Sequence, residues 1–219
     1  QIRWFSASPC YVLHLSNCYE DGDEVVMDGC IMPDYTKVPV SEAGDIYERI
    51  RANLDKHRNK TLMHRWRFNL KTGETKEQYI DDEVTEFPMI SNDYLGVPYR
   101  YSYNVLYKPG HWLFSGLKRY DVLTGATQRY EYGEGRYGSE PQVARRIGAV
   151  NEDDGYVISM VADMNQDRSE ILILDASDIS RGPVATIVLP ERMSAGTHGC
   201  WVDGDRIHDE NRDPRYVPA

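Results

Sequence analysis

Residues 68–76 read FNLKTGETK, and residues 120–128 read YDVLTGATQ. Each stretch runs from an aromatic residue through Asn or Asp to a Thr-Gly pair, a pattern typical of a tight hairpin turn between two strands. The pairs begin at Thr72 and Thr124, 52 residues apart. A looser third copy, ILDASDISRGPVATI, places Asp175 54 residues beyond Asp121.

Strand-like runs fill the chain between these turns. They include DEVVMDGCI, YRYSYNVLY, GYVISMV and EILILDA, which are rich in β-branched and aromatic residues and are bounded by Gly, Asp, Asn or Pro. A repeat of about fifty residues built from several strands predicts an all-β fold made of β-propeller blades, and a generic β-sandwich is the alternative. Three such units cannot close a propeller, which needs at least about four blades.

One segment departs from the strand pattern. SEAGDIYERIRANLDK is helix-like, and Ser41 is its predicted N-cap.

Composition and charge exclude several classes of function. The 219 residues carry a net charge of −10, which argues against nucleic acid as a partner because phosphate binding needs a basic face. No stretch reaches the apolar length of a transmembrane segment. The four cysteines, which form no CxxC pair, are expected to be thiols in a reducing, cytoplasmic compartment, with disulfides as the alternative; they are Cys10, Cys18, Cys30 and Cys200.

Two of the six histidines are candidates for chemistry. His57 and His208 lie in solvated polar runs, while His64 and His111, both near tryptophans, are interpreted as strand residues at a wet face. His14 lies in the apolar run CYVLHL, and His198 lies between small residues in GTHGC. A hydrogen-bonded core histidine remains the alternative at both positions.

Two glutamates are equally out of place. Glu86 in VTEFPMIS and Glu140 in YGSEPQVAR lie in apolar or small-residue surroundings, where an unpaired carboxylate costs several kcal/mol. A histidine N–H is a natural partner, and a histidine held in this way presents its other nitrogen to a metal. Gly196 and Gly199 are expected to let the backbone around His198 approach closely.

Several common catalytic motifs are absent from the sequence. There is no GxSxG, P-loop, HExxH or zinc-type cysteine spacing. EDDGY lacks the spacing of an EF-hand, so Asp153, Asp154 and Gly155 are predicted to form a turn that enters a strand.

At these histidines and glutamates the chain resembles the carotenoid cleavage oxygenase family, which includes the lignostilbene dioxygenases. Six stretches carry the resemblance in order, and they hold both histidines and both glutamates: RWFSASPCYVLHLSNCYEDGDEVVMD, TEFPMISNDYLGVPYRYSY, YGSEPQVARR, NEDDGYVISMV, LILDASDISRGPVATIVLP and GTHGCWV.

The resemblance implies a seven-bladed propeller with a non-haem Fe(II) on its axis, bound by four histidines. His14 matches the third metal ligand and His198 the fourth, and Glu86 and Glu140 match the carboxylates that hold ligand histidines from behind. Glu86 is expected to hold His14, while Glu140 is matched to no particular histidine. Residues 1–219 would then be the C-terminal part of a single propeller domain whose N-terminal half is absent, with 203–219 as an atypical tail.

The function implied is that of a dioxygenase, which uses O2 to cleave a C=C bond of a carotenoid, apocarotenoid or stilbene into two carbonyl products. Its partners would be O2 and a hydrophobic or aromatic alkene. Two alternatives stay open: a non-catalytic propeller that binds a ligand, and an incomplete, inactive fragment of the enzyme. On its own the chain is expected to be inactive, because two ligands do not hold a metal firmly.

Overall fold

The computed structural model describes residues 2–34, 44–53, 59–194 and 196–204. These residues form thirteen β-strands, one short α-helix and two single-turn 3-10 helices, at Asn92–Tyr94 and Ile179–Arg181. The all-β prediction is confirmed.

The first sheet is an antiparallel meander of four strands, which pair in chain order: β1 (Tyr11–Asp21), β2 (Glu24–Met32), β3 (Leu62–Asn69) and β4 (Thr75–Tyr79). The connection between β2 and β3 contains the helix α1, which runs over Ile46–Asn53. The Asp45 carboxylate accepts the backbone N–H groups of Tyr47 and Glu48 at 2.8 and 2.9 Å and so caps this helix. Ser41, the predicted cap, lies outside the described residues.

A second meander follows, formed by β5 (Thr85–Met89), β6 (Tyr101–Tyr107), β7 (Phe114–Asp121) and β8 (Thr127–Glu131). The third comprises β10 (Gln142–Arg145), β11 (Gly155–Asp163), β12 (Arg168–Asp175) and β13 (Pro183–Val188). A three-residue strand, β9 (Arg136–Gly138), pairs with β11 and also meets β7, at Phe114. The second and third meanders are thereby joined into one nine-stranded sheet.

The repeated Thr-Gly motifs form matching turns. The side chain of Asn69 accepts two backbone N–H groups of the first turn, and that of Asp121 accepts two of the second. Gly73 and Gly125 have φ of +78° and +76°, a left-handed conformation that glycine adopts without steric cost. The looser third copy forms a longer turn that includes the second 3-10 helix. The predicted turn before β11 is also present, since that strand begins at Gly155.

The main hydrophobic core lies between the second and third meanders. Its members come from β5, β6, β7, β10, β11 and β12 and include Tyr103, Val105, Leu117, Val157 and Leu174. Aromatic and β-branched side chains fill a pleated surface well, which is why these strand-like runs fold as they do.

A buried ion pair within the first meander is linked to the second meander through a tyrosine hydroxyl. Arg65 on β3 binds Asp28 on β2 through two N–H groups, at 2.7 and 2.6 Å, and Asp28 is fully buried. Tyr99, which precedes β6, donates its hydroxyl to the same carboxylate at 2.6 Å. A charge removed from water in this way is stable only while its partners are present.

No disulfide joins the four cysteines, all of which lie within the described residues. In the described part of the chain, no helix has the length and apolar character needed to cross a membrane.

His64 does not lie at a wet face, so that interpretation is wrong. Its strand, β3, is the third of four and is covered on both faces around the histidine, which is 4% exposed. Its ring packs edge-on against Trp66 and Tyr79, and Glu77 Oε2 lies 3.3 Å from its Nε2. Burial lowers the pKa of the His64 imidazole below its ordinary value, and this outweighs the carboxylates of Glu77 and Asp28, which act in the opposite direction.

We expect this histidine to make the fold less stable in mild acid. The lowered pKa means that the unfolded chain binds a proton more readily than the folded one, so stability is lost as the pH falls below about 6.5. The loss attributable to His64 is at most about 1.4 kcal/mol per pH unit. Urea unfolding at pH 7 and pH 5 should show a smaller loss for His64→Phe, which keeps a ring against Trp66, than for the wild type. His111→Phe, in an exposed turn, is the control, and equal losses in all three proteins would contradict the expectation.

Candidate metal centre

The first histidine of the candidate site is held by a buried carboxylate. His14 lies on β1 and Glu86 on β5, the first strands of the first two meanders, and these strands pack against each other. His14 Nδ1 is 2.6 Å from Glu86 Oε2, and the Glu86 side chain is fully buried. Against a carboxylate Nδ1 carries the proton, so the nitrogen through which His14 would bind a metal is Nε2.

The same carboxylate oxygen also accepts the backbone N–H of Phe87, at 2.6 Å. The pairing of β5 with β6 is interrupted between Glu86 and Met89, and Phe87 has a φ of +50°. A bulky residue in this left-handed region costs about 1–3 kcal/mol. The residue before a proline, here Pro88, normally takes an extended conformation, so the sequence itself does not favour this backbone.

The second histidine has a looser partnership with a glutamate. Glu140 directly precedes Pro141 and β10, and its Oε2 accepts the N–H of Gly199 at 2.9 Å. His198 Nδ1 lies 3.4 Å from the same oxygen. The backbone N–H of Glu140 donates to the carbonyl of Thr197 at 3.2 Å. Glu140 therefore fixes the backbone on both sides of His198 as well as facing its ring.

The two histidines, distant in sequence, are neighbours in the fold. Their ring centroids are 5.3 Å apart, and Phe87 lies between them and the core, 4.5 Å from the ring of His14 and 5.2 Å from that of His198. The His198 side chain is 64% exposed and that of His14 27%. Two imidazoles, each facing a carboxylate through Nδ1, form a donor set that suits Fe, Zn or Cu.

The described residues hold two such histidines but bring no three His, Cys, Asp or Glu side chains together as a metal site. Any firmer coordination would need further ligands.

The glycines beside His198 do not share one role. A Cβ at Gly196 would lie 3.1 Å from the Cβ of Ser139, a close approach that favours glycine. At Gly199 a Cβ would meet only the Gln142 side chain, at ordinary contact distances of 3.6 Å and beyond. The expected close approach therefore holds for Gly196 and is wrong for Gly199.

Phe87 is the residue of this site that the sequence did not single out. In the sequence it appears only as one apolar residue beside Glu86 in VTEFPMIS. The one available signal was its position between an inward carboxylate and a proline, and that signal predicts an extended backbone rather than the left-handed one observed.

Comparison with known proteins places these features in a family context. The family model described as RPE65, retinal pigment epithelial membrane protein, matches residues 1–203. A carotenoid 9,10(9',10')-cleavage dioxygenase of Crocus sativus is 30% identical over 97% of this chain and 40% of its own length. Lignostilbene-alpha,beta-dioxygenase isozyme III of Sphingomonas paucimobilis is 26% identical over 94% of the chain and 44% of its own length. The chain thus spans less than half the length of these relatives.

A solved structure shares the fold. Cobalt-substituted Synechocystis ACO superposes with a TM-score of 0.78 at 22% identity, covering 90% of this chain and 40% of that one. That protein is a β-propeller, so the propeller predicted from the fifty-residue repeat is confirmed. The three meanders of this chain are therefore blades of a propeller.

Proposed function

Because the chain belongs to the RPE65 family of carotenoid and stilbene oxygenases, we propose that it forms part of an Fe(II)-dependent dioxygenase that cleaves a C=C bond of a carotenoid, apocarotenoid or stilbene. Each of the two alkene carbons takes one oxygen atom from O2, which yields two carbonyl products. The observation that carries the proposal is the pair of neighbouring imidazoles, each facing a glutamate.

The residues fit the metal that the family implies. Imidazole nitrogens are good ligands for iron, and a carboxylate at Nδ1 fixes both the tautomer and the direction of the ring. His14 and His198 would therefore hold the ion through Nε2, with Glu86 and Glu140 as the carboxylates that orient them. A bound Fe(II) supplies the O2 chemistry that no side chain of this chain can perform.

The surrounding residues would shape a dry and rigid site. The ring of Phe87 lies beside both histidines and 5.1 Å from the ring of Phe114, and both phenylalanines are buried. A buried apolar wall of this kind excludes water from one side of the site. His14, which is the less exposed of the two histidines, lies against this wall.

We further propose that residues 1–219 supply the C-terminal part of a single propeller domain, with 203–219 as an atypical tail. Three blades of the seven that the resemblance implies agree with the chain's 40% coverage of the matched structure. The remaining ligands of a four-histidine site would then come from blades outside these three. The cytoplasmic location predicted from the cysteine content stays a prediction.

The direct test is a chimera in which this chain replaces the matching 40% of Synechocystis ACO. We expect the purified chimera to retain about one iron per molecule after gel filtration and to consume O2 with an apocarotenoid or a stilbene. The 219-residue chain alone should lose its iron to a chelator, since it offers two of the ligands that a firm site needs.

Two outcomes would contradict the proposal. A folded chimera that neither holds iron nor forms product would favour a non-catalytic propeller. Stoichiometric, chelator-resistant iron in the isolated chain, with product formed, would show that the chain needs no further blades. Comparing carotenoid, apocarotenoid and stilbene under the same conditions identifies the substrate class.

A further inference from the structure

The backbone of Phe87 is unusual for its residue type. Within the described residues, Phe87 and Asp167 are the two non-glycine positions with a positive φ, +50° and +49°. Aspartate enters this region readily because its short polar side chain can bond to nearby backbone, whereas a bulky aromatic residue does so rarely. Since Pro88 follows, local preference opposes this conformation twice.

Burial of the ring does not by itself explain the strain. Phe87 belongs to the main core with Tyr103, Val105 and Phe114, and those residues bury their side chains from ordinary extended strands. Strained backbone that persists is overdetermined by its surroundings and occurs preferentially at functional sites.

Two contacts of Phe87 converge on the histidines. Its N–H donates to Glu86 Oε2, the atom that also faces His14 Nδ1, with both distances at 2.6 Å. The left-handed φ sets the direction in which its side chain leaves the backbone, and the ring stacks on the His14 imidazole, with 30° between the planes and 4.5 Å between the centroids. The same ring lies 5.2 Å from that of His198, so the three rings are mutual neighbours.

We propose that Phe87 is a positioning residue for the candidate metal centre, acting on both histidines at once. Its N–H fixes the Glu86 carboxylate that orients His14, and its ring sets the planes of His14 and His198 relative to each other. This inference rests on the proposed function, in which those two imidazoles hold the metal. The strained backbone at Phe87 is then retained because it keeps the two imidazoles in a fixed relative orientation before a ligand binds.

The test compares the wild-type chain with Phe87→Leu, Phe87→Gly and Phe114→Leu. Leucine keeps apolar bulk but loses the flat ring, and glycine keeps the left-handed backbone without strain. Phe114→Leu is the matched control, because Phe114 is equally buried and touches the Phe87 ring. The first readout is NMR of the apo chain, which follows NOEs between the imidazoles of His14 and His198 and their ring-current shifts.

The second readout is a Zn²⁺ titration followed on the same imidazole resonances, which detects weak binding in the 219-residue chain. We expect both Phe87 variants to lose the NOEs between the two imidazoles and to bind Zn²⁺ on the order of 10-fold more weakly, the low end of what losing an orienting partner costs. Phe114→Leu should stay within about 2-fold of the wild type.

Imidazole geometry and Zn²⁺ affinity that change no more in the Phe87 variants than in Phe114→Leu would overturn the positioning role. If Phe87→Leu does not fold, Phe87→Gly carries the same comparison. Zn²⁺ binding by the 219-residue chain that is too weak to titrate leaves the proposed function to the chimera, and the apo NOEs alone then decide whether Phe87 sets the rings.

Discussion

Substituting His14 by alanine is expected to abolish stoichiometric iron binding by the chimera and to lower its turnover by more than about 100-fold. The reason is that losing an orienting partner alone costs about 10–100-fold in metal affinity or activity, and losing the ligand costs more. His198→Ala should behave alike, since both rings would hold the same ion. The measurement is metal content by mass spectrometry after gel filtration, together with product formation.

The two glutamates allow a graded version of this prediction. Glu86→Gln should lower iron affinity by about 10–100-fold, because the Glu86 carboxylate is fully buried and only 2.6 Å from His14. Glu140→Gln should have the smaller effect, since its contact with His198 is 3.4 Å long and the ring is more exposed. His111→Ala, at an exposed turn, is the control. Unchanged iron and turnover in His14→Ala and His198→Ala would rule out their role as ligands.

The second large effect concerns stability rather than chemistry. Asp28→Ala is expected to lower the free energy of unfolding by about 3–5 kcal/mol, because it leaves the buried Arg65 guanidinium without its counter-charge. Arg67→Ala, on the strand that carries Arg65, is the control because it breaks more exposed ion pairs. Its partners Asp21 and Glu24 are more exposed, so that substitution should cost about 1 kcal/mol or less. Urea unfolding followed by circular dichroism measures both.

A double variant separates the charge effect from simple loss of packing. Replacing the pair together, as Asp28→Leu with Arg65→Met, removes both buried charges and should recover much of the stability lost in Asp28→Ala. Equal costs for Asp28→Ala and Arg67→Ala would show that the buried pair contributes no more to stability than an exposed one.

Much of the fold was readable from the sequence because its signals are local. Asn69 and Asp121 each lie three residues before the Thr of a Thr-Gly pair, and in both turns the side chain caps backbone N–H groups. The strand-like runs match the observed strands for the same reason. β9 was not predictable, because three residues show no alternation and its pairing depends on two strands from different blades.

The site was only partly readable. His14 and His198 stood out because apolar or small neighbours surround them, and the family resemblance supplied their roles. The pairing of Glu140 with His198 depends on how the segment after β13 returns to the start of β10, which no local pattern encodes. The interpretation of His64 failed because flanking residues do not reveal that a third strand in a blade is covered on both faces.

The short strand β9 has a consequence for how the site fluctuates. Because β9 bonds to β11 and meets β7, a local opening that frees the inner edge of the third blade must break bonds to the second blade as well. Glu140 follows this strand by only two residues, so its carboxylate is tethered to both blades. Thermal opening of the His198 side of the site is thereby tied to unfolding of a nine-stranded unit. The short strand thus limits how far His198 can move from the less exposed His14 without disturbing both blades.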